Sequence, residues 1–358
     1  MNDILRPDLL WIEGRCYRVN DPTTDISFHQ EHDLFENEMI YEDMPQEDDD
    51  DDYEVEMVDS NRFYTTFHVS KHYLGHIIGK KGTTRMRIQR DTKTDIKIPK
   101  LGETKDVTIY GSNVASVKAA RRRINVIVMS ARMKNHSTHF ISIPMNSPDI
   151  MKSFESFKNS VLSECQSRGL EESLFIKASK LHITVGVMCL MDNEERLLAS
   201  KYLTEAKELI IMPILKNYLP LRLRLKGLSY MNDDPKDVHV LYGTVEEDNV
   251  RDGLLQDVVD AIVEFFYKKG FMDKEFGRDH VKVHVTLLNS KYRGRSSRDD
   301  EDEPSIKQQR ESFDGSEVLK KFKDFDFGVI ELSSIHLSQR KSMGSDGFYQ
   351  QTCVINLN

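Results

Sequence analysis

Charge along this chain is sorted so sharply that it dictates where the chain can fold. Residues 31–59 hold fifteen Asp and Glu and no Lys or Arg, with the run Glu47-Asp48-Asp49-Asp50-Asp51-Asp52 inside them. Such a block repels itself and has too little apolar surface to offset the entropy lost on ordering. Residues 21–60 are therefore expected to be a disordered linker. It serves either as a solvated spacer or as a mimic of RNA beside the segment that follows. Residues 62–134 carry seventeen Lys and Arg against four Asp and Glu, net +13. A basic segment of that size is the electrostatic footprint of a nucleic-acid binder. Any core must lie before or after the acidic block.

Before the block, residues 1–20 read as a short partner-binding segment. Leu9-Leu10-Trp11-Ile12 and Cys16-Tyr17-Arg18-Val19 flank a turn at Glu13-Gly14. An isolated hairpin is marginal in water, so it needs a surface to pack on. Trp11, Arg15, Tyr17 and Arg18 are the side chains that would anchor it to a partner.

After the block, residues 61–135 alternate strand and helix signals in the order βααββα. Phe63, Thr65, Phe67 and Val69 have the period of a half-buried strand. Helices are expected over 73–78 and 83–92, strands over 95–99 and 106–110, and one long helix over 114–133. Between the two short helices lies Ile78-Gly79-Lys80-Lys81-Gly82. Two glycines three apart let the backbone turn tightly and approach a phosphate. Amides at the following helix start favour an anion, and Lys80 and Lys81 add charge.

Residues 136–358 form a larger mixed region. Strand-like runs fall at 138–144, 181–187, 221–228, 238–245, 281–288, 328–338 and 349–357, and helix-like runs at 148–167, 193–212, 251–269 and 315–324. Their irregular alternation predicts an α+β fold. Residues 291–311 are polar and long, and are expected to form a mobile rim next to the site.

Two strands in this region share a pattern, His182-Ile183-Thr184 and His284-Val285-Thr286, each flanked by apolar residues. Residues i and i+2 of a strand face the same way. Each strand thus presents His and Thr on one face and an apolar row on the other. Side by side, such strands would bring two imidazoles and two hydroxyls to one cleft. An imidazole titrates near neutral pH, so one His can accept a proton from the attacking oxygen while the other protonates the leaving oxygen. His182, Thr184, His284 and Thr286 are the candidate catalytic residues. Ser338 and Arg340 are candidate phosphate contacts. His336 beside them is read as structural and His280 as lying outside the cleft. Neither a metal nor another cofactor is expected. The four cysteines are scattered, with no CxxC pair, and are read as free thiols.

The GxxG loop in its βααββα setting resembles the KH family, whose loop clamps the backbone of single-stranded RNA. That resemblance implies a type I KH domain with Ile78, Gly79, Lys80, Lys81 and Gly82 on the RNA. Arg85 stands where many KH domains carry a groove-lining aliphatic, and is counted with the RNA-binding residues. The paired HxT motifs resemble the two-histidine phosphoesterases of LigT and cyclic-phosphodiesterase type. This implies a bilobal domain acting on 2′,3′-cyclic, 2′,5′-linked or 3′-terminal RNA phosphodiesters. The whole order is similar to a family of transcription-cointegrator subunits. That similarity implies a nuclear protein acting in coactivation and the response to alkylation damage. It also implies a large helicase subunit and other members of a cointegrator complex as partners. No apolar run approaches the ~20 residues of a membrane span, and Met1–Pro7 lack a signal-peptide pattern, so no membrane role is expected. Two readings stay open: a metal-independent RNA phosphodiesterase, or an RNA-binding adaptor whose cleft holds phosphate without turnover.

Overall fold

The computed structural model describes residues 9–12, 15–18, 53–59, 62–100, 106–248, 253–273, 280–294 and 310–357. The chain divides into two units, Met1–Asp52 and Tyr53–Asn358. In the first, β1 (Leu9–Ile12) and β2 (Arg15–Arg18) pair antiparallel, with Trp11 opposite Cys16 and Leu10 opposite Tyr17. The rest of the expected linker up to Asp52 lies outside the described residues.

The second unit opens with β3 (Glu56–Asp59) and β4 (Arg62–Phe67). Then come α1 (Lys71–Ile78), α2 (Thr83–Thr92), β5 (Thr94–Lys97), β6 (Val107–Gly111) and α3 (Val114–Met133). The strands form an antiparallel sheet in the order β3-β4-β6-β5. On α3, Val117, Ala120, Ile124, Ile127 and Ala131 are buried at helical spacing. The first four pack on Phe67, Ile88, Ile96, Val107 and Ile109. Asn113 caps the helix by accepting from the Ser116 amide at 2.8 Å.

The acidic composition predicts a disordered linker through residue 60, but residues 53–59 belong to the fold. Glu56 pairs with Tyr64 across β3 and β4. Thr65 donates to the Glu54 carbonyl at 2.8 Å, Asn125 donates to the Tyr53 hydroxyl at 2.8 Å, and Val55 packs on the core. The acidic composition concealed three anchors, Tyr53, Val55 and the Glu54 backbone.

The remainder runs through β7 (His139–Pro144), α4 (Pro148–Glu164), β8 (His182–Met188) and α5 (Asn193–Ala206). A π turn at Lys207–Ile211 leads into α6 (Met212–Leu215). Next are β9 (Arg222–Tyr230), β10 (Val240–Asp248), α7 (Leu254–Lys268) and β11 (Val285–Asn289). The chain ends with α8 (Ser316–Phe322), β12 (Asp326–Glu331), β13 (Ser334–Met343) and β14 (Tyr349–Asn356). All eight strands join one antiparallel sheet, ordered β12-β9-β10-β11-β8-β7-β13-β14. It has two four-stranded halves, β8-β7-β13-β14 and β11-β10-β9-β12, which are the two lobes. Ile150, Phe154, Phe157 and Val161 of α4 and Val258, Val259, Ile262 and Phe266 of α7 cover it in one continuous core. The run expected as one strand over 328–338 is two strands on different lobes. At the break, the Leu332 amide donates to Leu221 at 2.8 Å and the Leu357 amide to Ser333 at 2.9 Å. The apolar alternation ran on through this crossover and hid it. Among the described residues no helix is long and apolar enough to cross a membrane.

The KH-like fold is fastened to the larger sheet. Arg132, at the end of α3, donates to Glu195 of α5 at 2.5 Å and to the Gly270 carbonyl. Its guanidinium lies 4.4 Å from the Phe271 ring centroid and 5.5 Å from that of Tyr73. His68 stands 3.0 Å from Asp192 and 3.4 Å from Asp106. Burial opposes its charge, but the two carboxylates overcome that and raise its pKa.

Candidate active site and nucleic-acid interface

The two HxT strands are neighbours at the middle of the sheet. β8 and β11 pair antiparallel through Ile183 and Val285. That register sets His182 opposite Thr286 and Thr184 opposite His284. The two histidines become a diagonal pair, about 7–8 Å apart by strand geometry. Ile183, Val285 and Leu287 are fully buried beneath them. Each motif ends in a bulge. The β7–β8 register passes from Ser142–Thr184 to Ile141–Gly186, leaving Val185 as an extra residue. The β10–β11 register passes from Tyr242–Thr286 to Leu241–Leu288, leaving Leu287 extra. Bulges bend a strand and re-aim its side chains, and here the same device follows the threonine in both lobes.

Each imidazole is held the same way. His182 Nδ1 lies 2.7 Å from the Lys180 carbonyl and His284 Nδ1 lies 2.6 Å from the Lys282 carbonyl. A carbonyl can only accept, so both Nδ1 atoms carry the proton and Nε2 is the working nitrogen of the neutral ring. His182 Nε2 is 3.1 Å from the Thr184 hydroxyl. Aromatic rings wall both sides. Phe140 and Tyr349 lie 5.1 and 5.4 Å from His182, and Tyr242 lies 5.3 Å from His284.

The candidate phosphate contacts do not join this cleft. Ser338 is fully buried and its hydroxyl bonds to Ser142 at 3.1 Å. Arg340 turns to the Ser137 hydroxyl at 2.6 Å. They share the strand face expected of them, but the first is spent on Ser142 of β7 and the second on Ser137, just before that strand. His336 is buried against Ser334, 2.9 Å away, and burial lowers its pKa. His280 is exposed and pairs with Asp260 at 2.8 Å. Of the expected rim loop, residues 295–309 lie outside the described residues. Its ends are tied, Arg293 to the Gly169 carbonyl at 2.8 Å and Arg310 to Asn289 at 2.7 Å. Among the described residues no three His, Cys, Asp or Glu side chains cluster as a metal site requires.

His139, beside the aromatic wall, carries a pH consequence. Burial, aided by Arg196, lowers its pKa from 6.5 to about 4, and its Nε2 is buried with no hydrogen-bond partner. The unfolded chain takes up this proton near pH 6.5 and the folded one only near 4. Stability should therefore fall as pH drops through that window, by on the order of 3 kcal/mol. Urea titrations of wild type and His139→Gln between pH 7 and 4 check this. The variant should lose that part of the acid slope, and an unchanged slope would refute the assignment.

The GxxG loop joins α1 to α2. Gly79 and Gly82 have φ of 70° and 82°, and Lys81 between them has φ of 52°. A Cβ on Gly79 would stand 2.2 Å from the Thr84 hydroxyl, whereas one on Gly82 would meet only Met86, at 3.9 Å. Gly79 is thus demanded by both space and φ, Gly82 by φ alone. Lys80 and Lys81 are exposed, Ile78 is at the exposed margin and Arg85 is half-buried. Changing Gly79 would damage the loop itself, so the lysines are the cleaner probes. Lys80→Asp/Lys81→Asp should weaken single-stranded RNA binding and lower its salt slope by about 1.4. Fluorescence anisotropy at several salt concentrations checks this, and an unchanged slope would remove both lysines from the RNA.

A GxxG loop on a βααββα fold, joined to a sheet with paired HxT strands at its centre, defines the class: a KH module coupled to a two-histidine domain. Family models agree. The KH domain model matches residues 64–126, and the AKAP7 2′5′ RNA ligase-like domain model matches residues 137–357. Activating signal cointegrator 1 complex subunit 1 of Mus musculus is 36% identical over 357 residues, covering 97% of each chain. The chain belongs to the family of that subunit, with a KH domain and a 2′5′ RNA ligase-like domain in an α+β architecture.

Tyr242, Tyr349 and Phe140 were not foreseen as part of the site. They reach it from other strands, and only the sheet register brings them there. Lys180 and Lys282 were also passed over, although they left a local signal. Each stands two residues before its histidine.

Proposed function

We propose that this protein captures single-stranded RNA on its KH module and cleaves a phosphodiester between His182 and His284. The observation that carries this reading is the matched pair of imidazoles, each with Nδ1 committed to a backbone carbonyl. On a 2′,3′-cyclic phosphate, one Nε2 takes a proton from water as the water oxygen bonds to phosphorus. The other, protonated at the start, gives its proton to the ribose oxygen as that P–O bond breaks. The two rings exchange protonation states, and solvent restores them. Thr184 and Thr286 donate to the phosphoryl oxygens. KH capture supplies orientation.

The kinship with a cointegrator-complex subunit supports a further part of the reading. This chain acts in the nucleus as a subunit of a coactivator and alkylation-response assembly. The β1–β2 hairpin, with Trp11, Arg15, Tyr17 and Arg18, engages a large helicase subunit. The acidic segment separates that hairpin from the RNA-binding part.

The test incubates full-length protein in EDTA with short RNAs ending in 3′-hydroxyl, 3′-phosphate or 2′,3′-cyclic phosphate, or containing a 2′,5′ linkage. His182→Ala/His284→Ala is the control, and products are resolved by mass. Cleavage lost in the control is the expected result. No cleavage of any substrate, with tight salt-dependent binding, overturns the catalytic reading and leaves an adaptor whose cleft holds phosphate.

A further inference from the structure

The cleft brings two imidazoles and two hydroxyls together, and a phosphodiester entering it would be negatively charged and gain charge on attack. That charge calls for a cation, and Arg340 is turned away to Ser137. Both lobes present one in the same place. Lys180 and Lys282 each stand two residues before the motif histidine, and their carbonyls hold its Nδ1. Lys180 Nζ lies 5.0 Å from the centre of the Tyr349 ring, and that ring lies 5.4 Å from His182. Lys282 Nζ lies 4.8 Å from the Tyr242 ring, and that ring lies 5.3 Å from His284.

The same Lys–Tyr–His cluster is thus built twice from different scaffolding. Tyr242 comes from β10, directly beside β11, whereas Tyr349 comes from β14, three strands from β8. The internal symmetry of the sheet does not place a tyrosine at both positions. Both rings are nearly buried, at 5% and 6% exposure, so they act as walls that aim an ammonium group. Lys180 is itself 9% exposed.

We propose that Lys180 and Lys282 are the phosphate-charge ligands of the cleft, one on each side of the scissile phosphodiester, meeting charge that grows in the transition state. This rests on the phosphodiesterase reading. The test is chosen so that the two can fail separately.

Lys180→Met, Lys282→Met and both Lys→Arg variants are assayed on the RNA that wild type cleaves. The same changes are placed on the His182→Ala/His284→Ala background. Binding of a 2′,5′-linked dinucleoside monophosphate is then followed by phosphorus NMR. That probe is too short to fill a GxxG loop that clamps four nucleotides. Each Met variant should lose about 10²-fold in kcat/KM and bind the dinucleotide about tenfold more weakly. Arginine should restore binding while thermal stability stays level. Lys282 is exposed, so its Met variant carries the test even if Lys180→Met misfolds. Folded Met variants that cleave and bind like wild type overturn the proposal, as does absence of dinucleotide binding on the unmodified background. Lysine-dependent binding in a protein that cleaves nothing upholds the lysines and removes the catalytic reading.

Discussion

Alanine at His182 or at His284 should lower RNA turnover by about 10²–10⁴-fold, the usual contribution of a positioned acid or base. The double variant should be little worse than either single one, because both protons move in the same displacement and removing one partner disables the other. RNA affinity should change little, since the GxxG loop is a separate surface. A bell-shaped dependence of kcat/KM on pH should accompany this, with one limb lost in each single variant. Thr184→Val and Thr286→Val should have smaller effects that fall on kcat rather than on folding. Single-turnover measurements on the substrate identified by the end-group panel would decide the matter. Wild-type turnover by either alanine variant would refute the acid–base assignment.

What could be read from the sequence here was local. His182 and Thr184 are two residues apart, as are His284 and Thr286, and strand alternation alone puts each pair on one face. Gly79 and Gly82 are three apart, and the turn they make is their own. The helix over 114–133 was equally plain, because Val117, Ala120, Ile124 and Ile127 repeat at helical spacing. The missing parts depended on partners far along the chain. Ser338 has the right face for phosphate, yet Ser142, nearly two hundred residues earlier, takes its hydroxyl. Tyr242 and Tyr349 stand in unremarkable strand contexts, and only pairing carries them to the histidines. The stretch before Arg62 failed for a different reason. Its acidic composition gave no sign of the ladder that the β3 backbone makes with β4.

Arg132→Met should destabilise the protein by about 3–5 kcal/mol, the cost of breaking a buried ion pair by deleting one partner. Arg132 and Glu195 are 7% and 4% exposed. With the guanidinium gone, Glu195 keeps the Met191 amide at 2.7 Å and its charge stays in the junction. The methionine stem can still cover Phe271 and Tyr73, so lost packing is the smaller part of the effect. Arg132→Met/Glu195→Gln separates the two causes. Glutamine keeps an acceptor for Met191 and removes the stranded charge, so the double variant should recover much of the loss. Urea midpoints of the wild type, the two single variants and the double variant form a cycle that isolates the coupling. A coupling below about 1 kcal/mol would mean that the pair behaves like a surface salt bridge. The KH module would then be held to the sheet chiefly by its other contacts, His68 with Asp192 among them. A larger coupling makes Arg132 a residue that holds the KH module against the two-histidine domain.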